Sequence, residues 1–117
     1  MPETSDTETV ARRYFDACTT RDTDAAAAVL AEDFRFTAGD MAIEGRNALL
    51  DAGAFPHKAR TTMMAEAYQG DVAFQMYDST RGDDTVRIVE QLSVRDGLIR
   101  SSSFVTDMSA FMALMSR

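Results

Sequence analysis

The sequence predicts a single α+β domain with helices on one face of an antiparallel sheet. Three observations predict it. Apolar residues recur with a helical period before Pro56 and alternate after it. Three Gly-centred turns, Gln69-Gly70-Asp71, Arg81-Gly82-Asp83 and Asp96-Gly97, cut the second half into strands. A length of 117 residues fits one domain and leaves little for a second. Helices first and a long meander afterwards place the helices on one face of the sheet. The domain is expected over 1–117, with residues 1–5 flexible.

The elements run in this order. Ser5-Asp6-Thr7-Glu8 has the form of a capping box, in which a hydroxyl and a Glu three residues later satisfy free helix-start donors. Val10, Tyr14, Ala17 and Cys18 then share one face of a helix over about 6–20. Asp22 or Asp24 caps a short second helix through Ala25–Leu30. Phe34 and Phe36 alternate within a strand over 33–38. Gly45 opens a third helix, with Ala48, Leu49, Ala52 and Phe55 on its buried side, and Pro56 stops it. Strands are expected at 60–69, 71–80, 84–95 and 98–106. Asp96-Gly97 is the strongest hairpin signal, because Gly accepts the positive φ of a tight turn. The apolar tail Met108–Met115 closes as a helix or covering segment.

Composition excludes several functions. A net charge of −7 argues against nucleic acid, whose phosphates need a basic stripe. The twelve basic residues are scattered, and Lys58 is the only lysine. An Arg- and Ala-rich, Lys-poor composition often accompanies a GC-rich bacterial genome. The single cysteine, Cys18, excludes an intrachain disulfide and suits the cytoplasm. No apolar run approaches a membrane span, and the acidic start is unlike a signal peptide. The expectation is a soluble, cytoplasmic protein. One His and one Cys far apart give no metal spacing. Neither a phosphate-binding Gly loop nor a nucleophile elbow is present, so no cofactor is expected. Arg81-Gly82-Asp83 reads as a hairpin turn.

The chemistry concentrates in the strand over 84–95. Its even positions, Val86, Ile88, Glu90, Leu92 and Val94, share one face, so Glu90 interrupts an apolar surface. A carboxyl there loses hydration, which favours its protonated form. It either faces a pocket or belongs to a structural pair. Tyr14 lies on the inward face of the first helix, where its hydroxyl still needs a partner; a core tyrosine is the alternative. Ser101 and Ser103 share strand parity with Ile99 and Val105 and offer polar contacts. Asp78 shares parity with Val72, Phe74 and Met76 and is expected near a turn, exposed. Met41, Met63, Met64 and Met76 either line a cavity or fill it.

The layout and the stretches Val10-Ala11-Arg12-Arg13-Tyr14-Phe15-Asp16-Ala17, Arg21-Asp22-Thr23-Asp24 and Leu30-Ala31-Glu32-Asp33-Phe34 carry a resemblance over nearly the whole chain. So do Ile43-Glu44-Gly45-Arg46, Val89-Glu90-Gln91-Leu92 and Asp96-Gly97-Leu98-Ile99. The chain resembles the nuclear transport factor two-like superfamily, which includes ketosteroid isomerases and SnoaL-like polyketide cyclases. The resemblance implies a cystatin-like α+β cone, a curved antiparallel sheet wrapped around the N-terminal helices, with a cavity at its open end. It also implies that Tyr14 matches the isomerase's oxyanion-hole tyrosine and Glu90 its protonated aspartic acid. In that isomerase the acid is kept neutral so that it can donate a hydrogen bond. The matching general-base position is Ala38, which can do no proton chemistry. Asp40, two residues on, and His57, the only histidine, are the substitute bases considered, each alternatively a solvated loop residue.

These readings lead to one expected function and two alternatives. The first is a cofactor-independent acid–base enzyme for a small apolar carbonyl or epoxide: an isomerase, cyclase, dehydratase or epoxide hydrolase. Its pocket is expected to be lined by Phe36, Ala38, Phe55, Phe74, Met76, Ile88, Leu92, Ser101 and Ser103. The second is a non-catalytic protein that binds a small ligand in the same pocket. The third is an interaction module. A homodimer through the outer sheet face, with Val89, Tyr77 and Phe104 among Arg, Gln and Ser, is implied by the resemblance.

Overall fold

The computed structural model describes residues 6–51 and 59–116. Helix α1 covers Asp6–Thr20 and α2 covers Thr23–Val29. The Asp22 carboxylate caps α2 by accepting from the Ala25 amide at 3.0 Å, which satisfies a donor the helix start leaves free. Strand β1 runs Leu30–Ala38 and β2 runs Met41–Glu44. Helix α3 covers Arg46–Asp51, then β3 Arg60–Gln69, β4 Val72–Arg81, β5 Asp84–Arg95 and β6 Leu98–Thr106. Helix α4, Met108–Met115, is capped by Asp107, whose side chain accepts from the Ala110 amide.

The six strands form one sheet in the order β2-β1-β6-β5-β4-β3. Every pairing is antiparallel except β1 with β6. The expected antiparallel sheet therefore contains one parallel pair, because the helical lead-in delivers β1 beside the last strand of the meander. Strand β2 has no counterpart among the expected elements. It returns along β1 through a tight turn at Gly39, whose φ is +58°. The first strand also starts three residues earlier than the Phe alternation predicts, taking Leu30 from the expected second helix. Ala52, Phe55, Pro56 and His57 lie outside the described residues.

Helix α1 crosses the concave face with Val10, Ala11, Tyr14 and Ala17 buried. Polar contacts pin its first turns. The Thr7 hydroxyl donates to the Gly70 carbonyl at 2.7 Å, and Arg12 pairs with Glu8 and Glu66 at 2.8 and 3.1 Å. Glu66 also accepts from Tyr68, and the Gln75 amide donates to the Tyr68 hydroxyl at 3.3 Å. The core beneath joins Tyr14 and Ala17 to Phe34, Phe36, Ala38, Leu92 and Ile99. A second cluster, Tyr77, Val86, Ile88 and Leu114, lies under α4 with Phe15, Met63 and Phe111 against it. No described helix is long and apolar enough to cross a membrane.

Two register facts decide which side chains face inward. Across the Gly82-Asp83 turn Arg81 pairs with Asp84, so Tyr77 opposes Ile88 and Gln75 opposes Glu90. The inner face of β4 is therefore Ala73, Gln75, Tyr77 and Ser79, all buried. Phe74, 42% exposed, and Met76 stand on the outer face, which corrects their expected place at the pocket. In β6 a bulge at Arg100 shifts the ladder between Val94–Ile99 and Ser93–Ser101. The extra residue reverses the parity of the rest of the strand. Ile99, Ser102 and Phe104 thus face inward, while Ser101 and Ser103 oppose Ser93 and Gln91 on the outer face. Tyr77 and Phe104, expected at the outer dimer surface, belong to the core.

Candidate functional site

Strand β5 carries Glu90 into the middle of the concave face, with Ile88 and Leu92 beside it along the strand and buried. Glu90 is 4% exposed. Tyr77 donates to its Oε1 at 2.8 Å and Ser102 donates to its Oε2 at 2.5 Å. Register explains both partners. Tyr77 lies two residues from Gln75, the residue opposite Glu90 on β4, and Ser102 lies two from Phe104, the residue opposite on β6. Cross-strand diagonals of this kind are within reach of long side chains. No cation pairs with the carboxyl among the described residues.

Burial consequently raises the Glu90 carboxyl above the usual carboxylate range, and the Ser102 and Tyr77 hydroxyls only partly oppose that rise. Tyr14 is buried across from it on α1. Its phenol is pushed well above the ordinary range by burial first, then by the Cys18 sulfur one turn away and by Glu90. Burial likewise pushes the Cys18 thiol up, so it stays a neutral, inert thiol. Tyr77 is held protonated by burial and by the Glu90 carboxyl. Four hydroxyl or thiol groups and one carboxyl thus share an interior with no cation beside the carboxyl among the described residues. In that setting a protonated acid is a stronger donor than it is in water.

Aromatic rings wall the cluster. Phe15 and Phe104 meet Tyr77 edge-on with centroids 5.5 and 6.5 Å apart, and Phe104 meets Phe36 at 4.8 Å and Phe111 at 5.9 Å. Ala38, at the end of β1, opposes Phe104, which opposes Glu90. The vacant base position and the acid therefore lie in one row, two strands apart, or roughly 10 Å at the usual strand spacing. Asp40 is exposed in the turn after β1 and makes no hydrogen bond to this cluster among the described residues. His57 and Phe55 lie outside the described residues.

The structure thus brings Tyr14, Phe36, Ala38, Glu90, Ile88 and Leu92 to one face, and leaves Phe74, Met76, Ser101 and Ser103 on the other. Met63 packs into the cluster under α4, while Met41 and Met64 are exposed. Asp78, expected to be exposed, is half-buried and makes a two-bond contact with Arg87 at 2.8 and 3.1 Å. Sequence reasoning missed Tyr77 and Ser102. Register counting from the Gly82-Asp83 turn would have found Tyr77; the bulge that turns Ser102 inward has no such signal. An open cleft of about 180 Å³ lies elsewhere, bordered by Asp71, Val72, Ser93 and Arg95, none of which belongs to the Glu90 cluster. Among the described residues no three His, Cys, Asp or Glu side chains gather as a metal site requires.

Similarity to known proteins agrees with this architecture. The SnoaL-like domain profile matches residues 11–102. A candidate ketosteroid isomerase from Kribbella flavida superposes with a TM-score of 0.82 at 30% identity, covering 87% of this chain and 78% of that one. A candidate SnoaL-like polyketide cyclase from Jannaschia sp. CCS1 superposes at 0.81 with 18% identity, covering 99% and 98%. TerC, crystallised with polyporic acid, superposes at 0.77 with 18% identity, covering 97% and 100%. No curated protein matches the sequence. The chain belongs to the SnoaL-like domain family of the nuclear transport factor two-like superfamily.

Proposed function

We propose that this chain is a cofactor-independent acid–base enzyme acting on a small, largely apolar carbonyl or epoxide compound held against Glu90. One observation carries the reading: a carboxyl 4% exposed, without a cation among the described residues, and held by two hydroxyls. Burial raises the pKa of a carboxyl of that kind, and in its protonated form it donates its proton in a hydrogen bond. Tyr14 supplies a second donor from α1. Together they stabilise the oxyanion that develops when a proton leaves the carbon beside a carbonyl, or when an epoxide opens. Donors fixed in a water-poor site are each worth about 3–4 kcal/mol of transition-state stabilisation.

Tyr77 and Ser102 act through Glu90, as positioning residues that fix its orientation. Asp40 or His57 takes the substrate proton in this scheme. Isomerisation, cyclisation, dehydration and epoxide opening all use the same donors. The names of the Kribbella and Jannaschia neighbours and the polyporic acid in TerC support a small organic ligand.

A second reading rests on Ala38. With no base at the end of β1, the same donors suit a protein that binds a small ligand without turning it over. Both readings are compatible with a homodimer through the outer sheet face. Its centre would be the row Met76, Val89 and Val105, which are direct neighbours across β4, β5 and β6, with Phe74 beside it.

The test uses 2-naphthol as an oxyanion mimic, followed by fluorescence, together with turnover of small cyclic ketones and epoxides. Tyr14→Phe and Glu90→Gln are expected to weaken 2-naphthol binding about tenfold each, the loss of roughly one charge-assisted hydrogen bond, while the fold remains intact. Binding without turnover selects the second reading. Stability losses that match the binding losses would reduce both residues to core positions.

A further inference from the structure

The concave face carries a second polar feature that the Glu90 cluster does not use. Ser79, on β4, is 1% exposed, and Thr61 on β3 is its direct register partner. Both hydroxyl oxygens are buried, and neither has a hydrogen-bond partner among the described residues. Register partners of an antiparallel pair point to the same side. Ser79 lies two residues beyond Tyr77 and opposes the buried Val86, so this side is the concave one. The two hydroxyls therefore stand together in an apolar surround, under the last turn of α4.

A buried hydroxyl left without a partner costs about 1–3 kcal/mol, and native interiors rarely leave two adjacent. Leu114 of α4 and Met63 of β3 pack in the cluster with Tyr77 and Val86 and supply no polar atom that bonds to the pair. Arg81, next on the inner face, turns away to donate to the Leu114 carbonyl at 2.9 Å. Among the described residues nothing satisfies these groups, and both are open to a bound partner.

We infer that the Ser79–Thr61 pair is a second oxygen-binding subsite of the same pocket, and that the ligand is a small apolar molecule with an oxygen function at each end. This deepens the proposed function and rests on its reading of Glu90. One oxygen meets Glu90 and Tyr14; the other, a hydroxyl or carbonyl, meets Ser79 and Thr61. Ser79 is four residues along β4 from Gln75, the register partner of Glu90. At the usual strand rise and spacing the two Cα atoms are roughly 14 Å apart. The side chains close part of that interval, and a rigid body of two fused rings spans what remains. Tyr77 and Leu114, with Met63, Phe111 and Met115 packed against their cluster, occupy this part of the inner face. Methionine side chains repack around a ligand with little strain.

A resident water has the same hydrogen-bonding chemistry, and the experiment separates the two sources. Fluorescence titration compares 2-naphthol, with one hydroxyl, and 2,6-dihydroxynaphthalene, with one at each end. The wild-type protein is expected to bind the diol about tenfold more tightly, the worth of one to two added hydrogen bonds. In the Thr61→Val/Ser79→Ala double variant the diol should fall to the affinity of 2-naphthol. Ser79→Ala alone should leave the melting temperature of the ligand-free protein unchanged or higher, because it removes an unsatisfied group. If 2-naphthol binds in a Glu90-dependent way but the diol shows no preference, the subsite is refuted and the proposed function stands. A lower melting temperature for Ser79→Ala in that case would assign the pair to a resident water or to each other. If neither naphthol binds, the pocket reading fails and the subsite falls with it.

Discussion

Glu90 and Val89 are consecutive residues of β5 with opposite surroundings. Glu90 sits in an inner row with Gln75 and Phe104, and its charged form has no counter-ion among the described residues. Val89 sits in an outer row with Met76 and Val105, the last 68% exposed. The inner face hides polar groups and the outer face displays apolar ones. Either arrangement opposes the ordinary preference, under which a buried polar group or an exposed apolar patch is the informative feature. The ion pairs obey the ordinary rule: Arg87 with Asp78 and Arg35 with Glu44 are at the surface. One sheet thus carries two functional candidates back to back, a ligand face and an association face.

The contrast can be broken most strongly from α4, which seals the inner face. Leu114 is 2% exposed and Met112, on the same helix, is 54% exposed. Leu114→Ala is expected to cost about 2–5 kcal/mol, as buried Leu truncations do, and Met112→Ala less than about 0.5 kcal/mol. Chemical denaturation measures both. Equal effects would mean that α4 does not close the core.

Removing one hydroxyl from the acid is the next step down in magnitude. Tyr77→Phe leaves Glu90 Oε1 without its donor and should cost about 1–3 kcal/mol at neutral pH. The pH dependence has a definite sign. Glu90 is raised in the folded state, so the folded protein holds this proton more tightly than the unfolded chain does. The stability linked to Glu90 is complete below the unfolded carboxyl pKa and declines as pH rises through the folded value. Tyr77 opposes the rise, so its loss pushes the carboxyl higher still. The variant should therefore lose more stability at pH 8 than at pH 4. A loss independent of pH would separate Tyr77 from Glu90.

The outer face gives the smallest change in stability and the clearest change in assembly. Met76→Arg and Val89→Glu together should leave monomer unfolding within about 0.5 kcal/mol, as surface substitutions do. Light scattering at micromolar concentration is expected to find a dimer for the wild-type chain and a monomer for the double variant. A monomeric wild-type chain would remove the association face from the comparison.

The sequence made most of the elements legible, since a helix over 6–20 and the last four strands come directly from period and punctuation. Asp96 and Gly97 both adopt positive φ, as the tight turn requires. Facing was less legible. Along β4 the bulkier apolar residues, Val72, Phe74 and Met76, alternate as a buried face would, yet they face outward. The two-residue turn at Gly82-Asp83 outweighs that pattern, because hairpin register is fixed by the turn and then sets every facing beyond it. Ser102 could not be foreseen, since one extra residue at Arg100 flips the strand and nothing local to Arg100-Ser101-Ser102-Ser103 announces it. Glu90 was legible because its own strand is regular and its neighbours on that face are uniformly apolar. The base was not, because a vacant position leaves no residue to read.

The proposed chemistry depends on Glu90 being a neutral hydrogen-bond donor in the ligand-free interior. Its most direct test is a pH titration of the Glu90 side-chain carboxyl carbon by NMR, with Glu90→Gln to assign the signal. The expected midpoint is clearly above the ordinary Glu value of ~4.3, with a further rise in Tyr77→Phe. A midpoint at or below the ordinary value would mean a solvated or ion-paired carboxylate, and the proposed oxyanion chemistry would be contradicted.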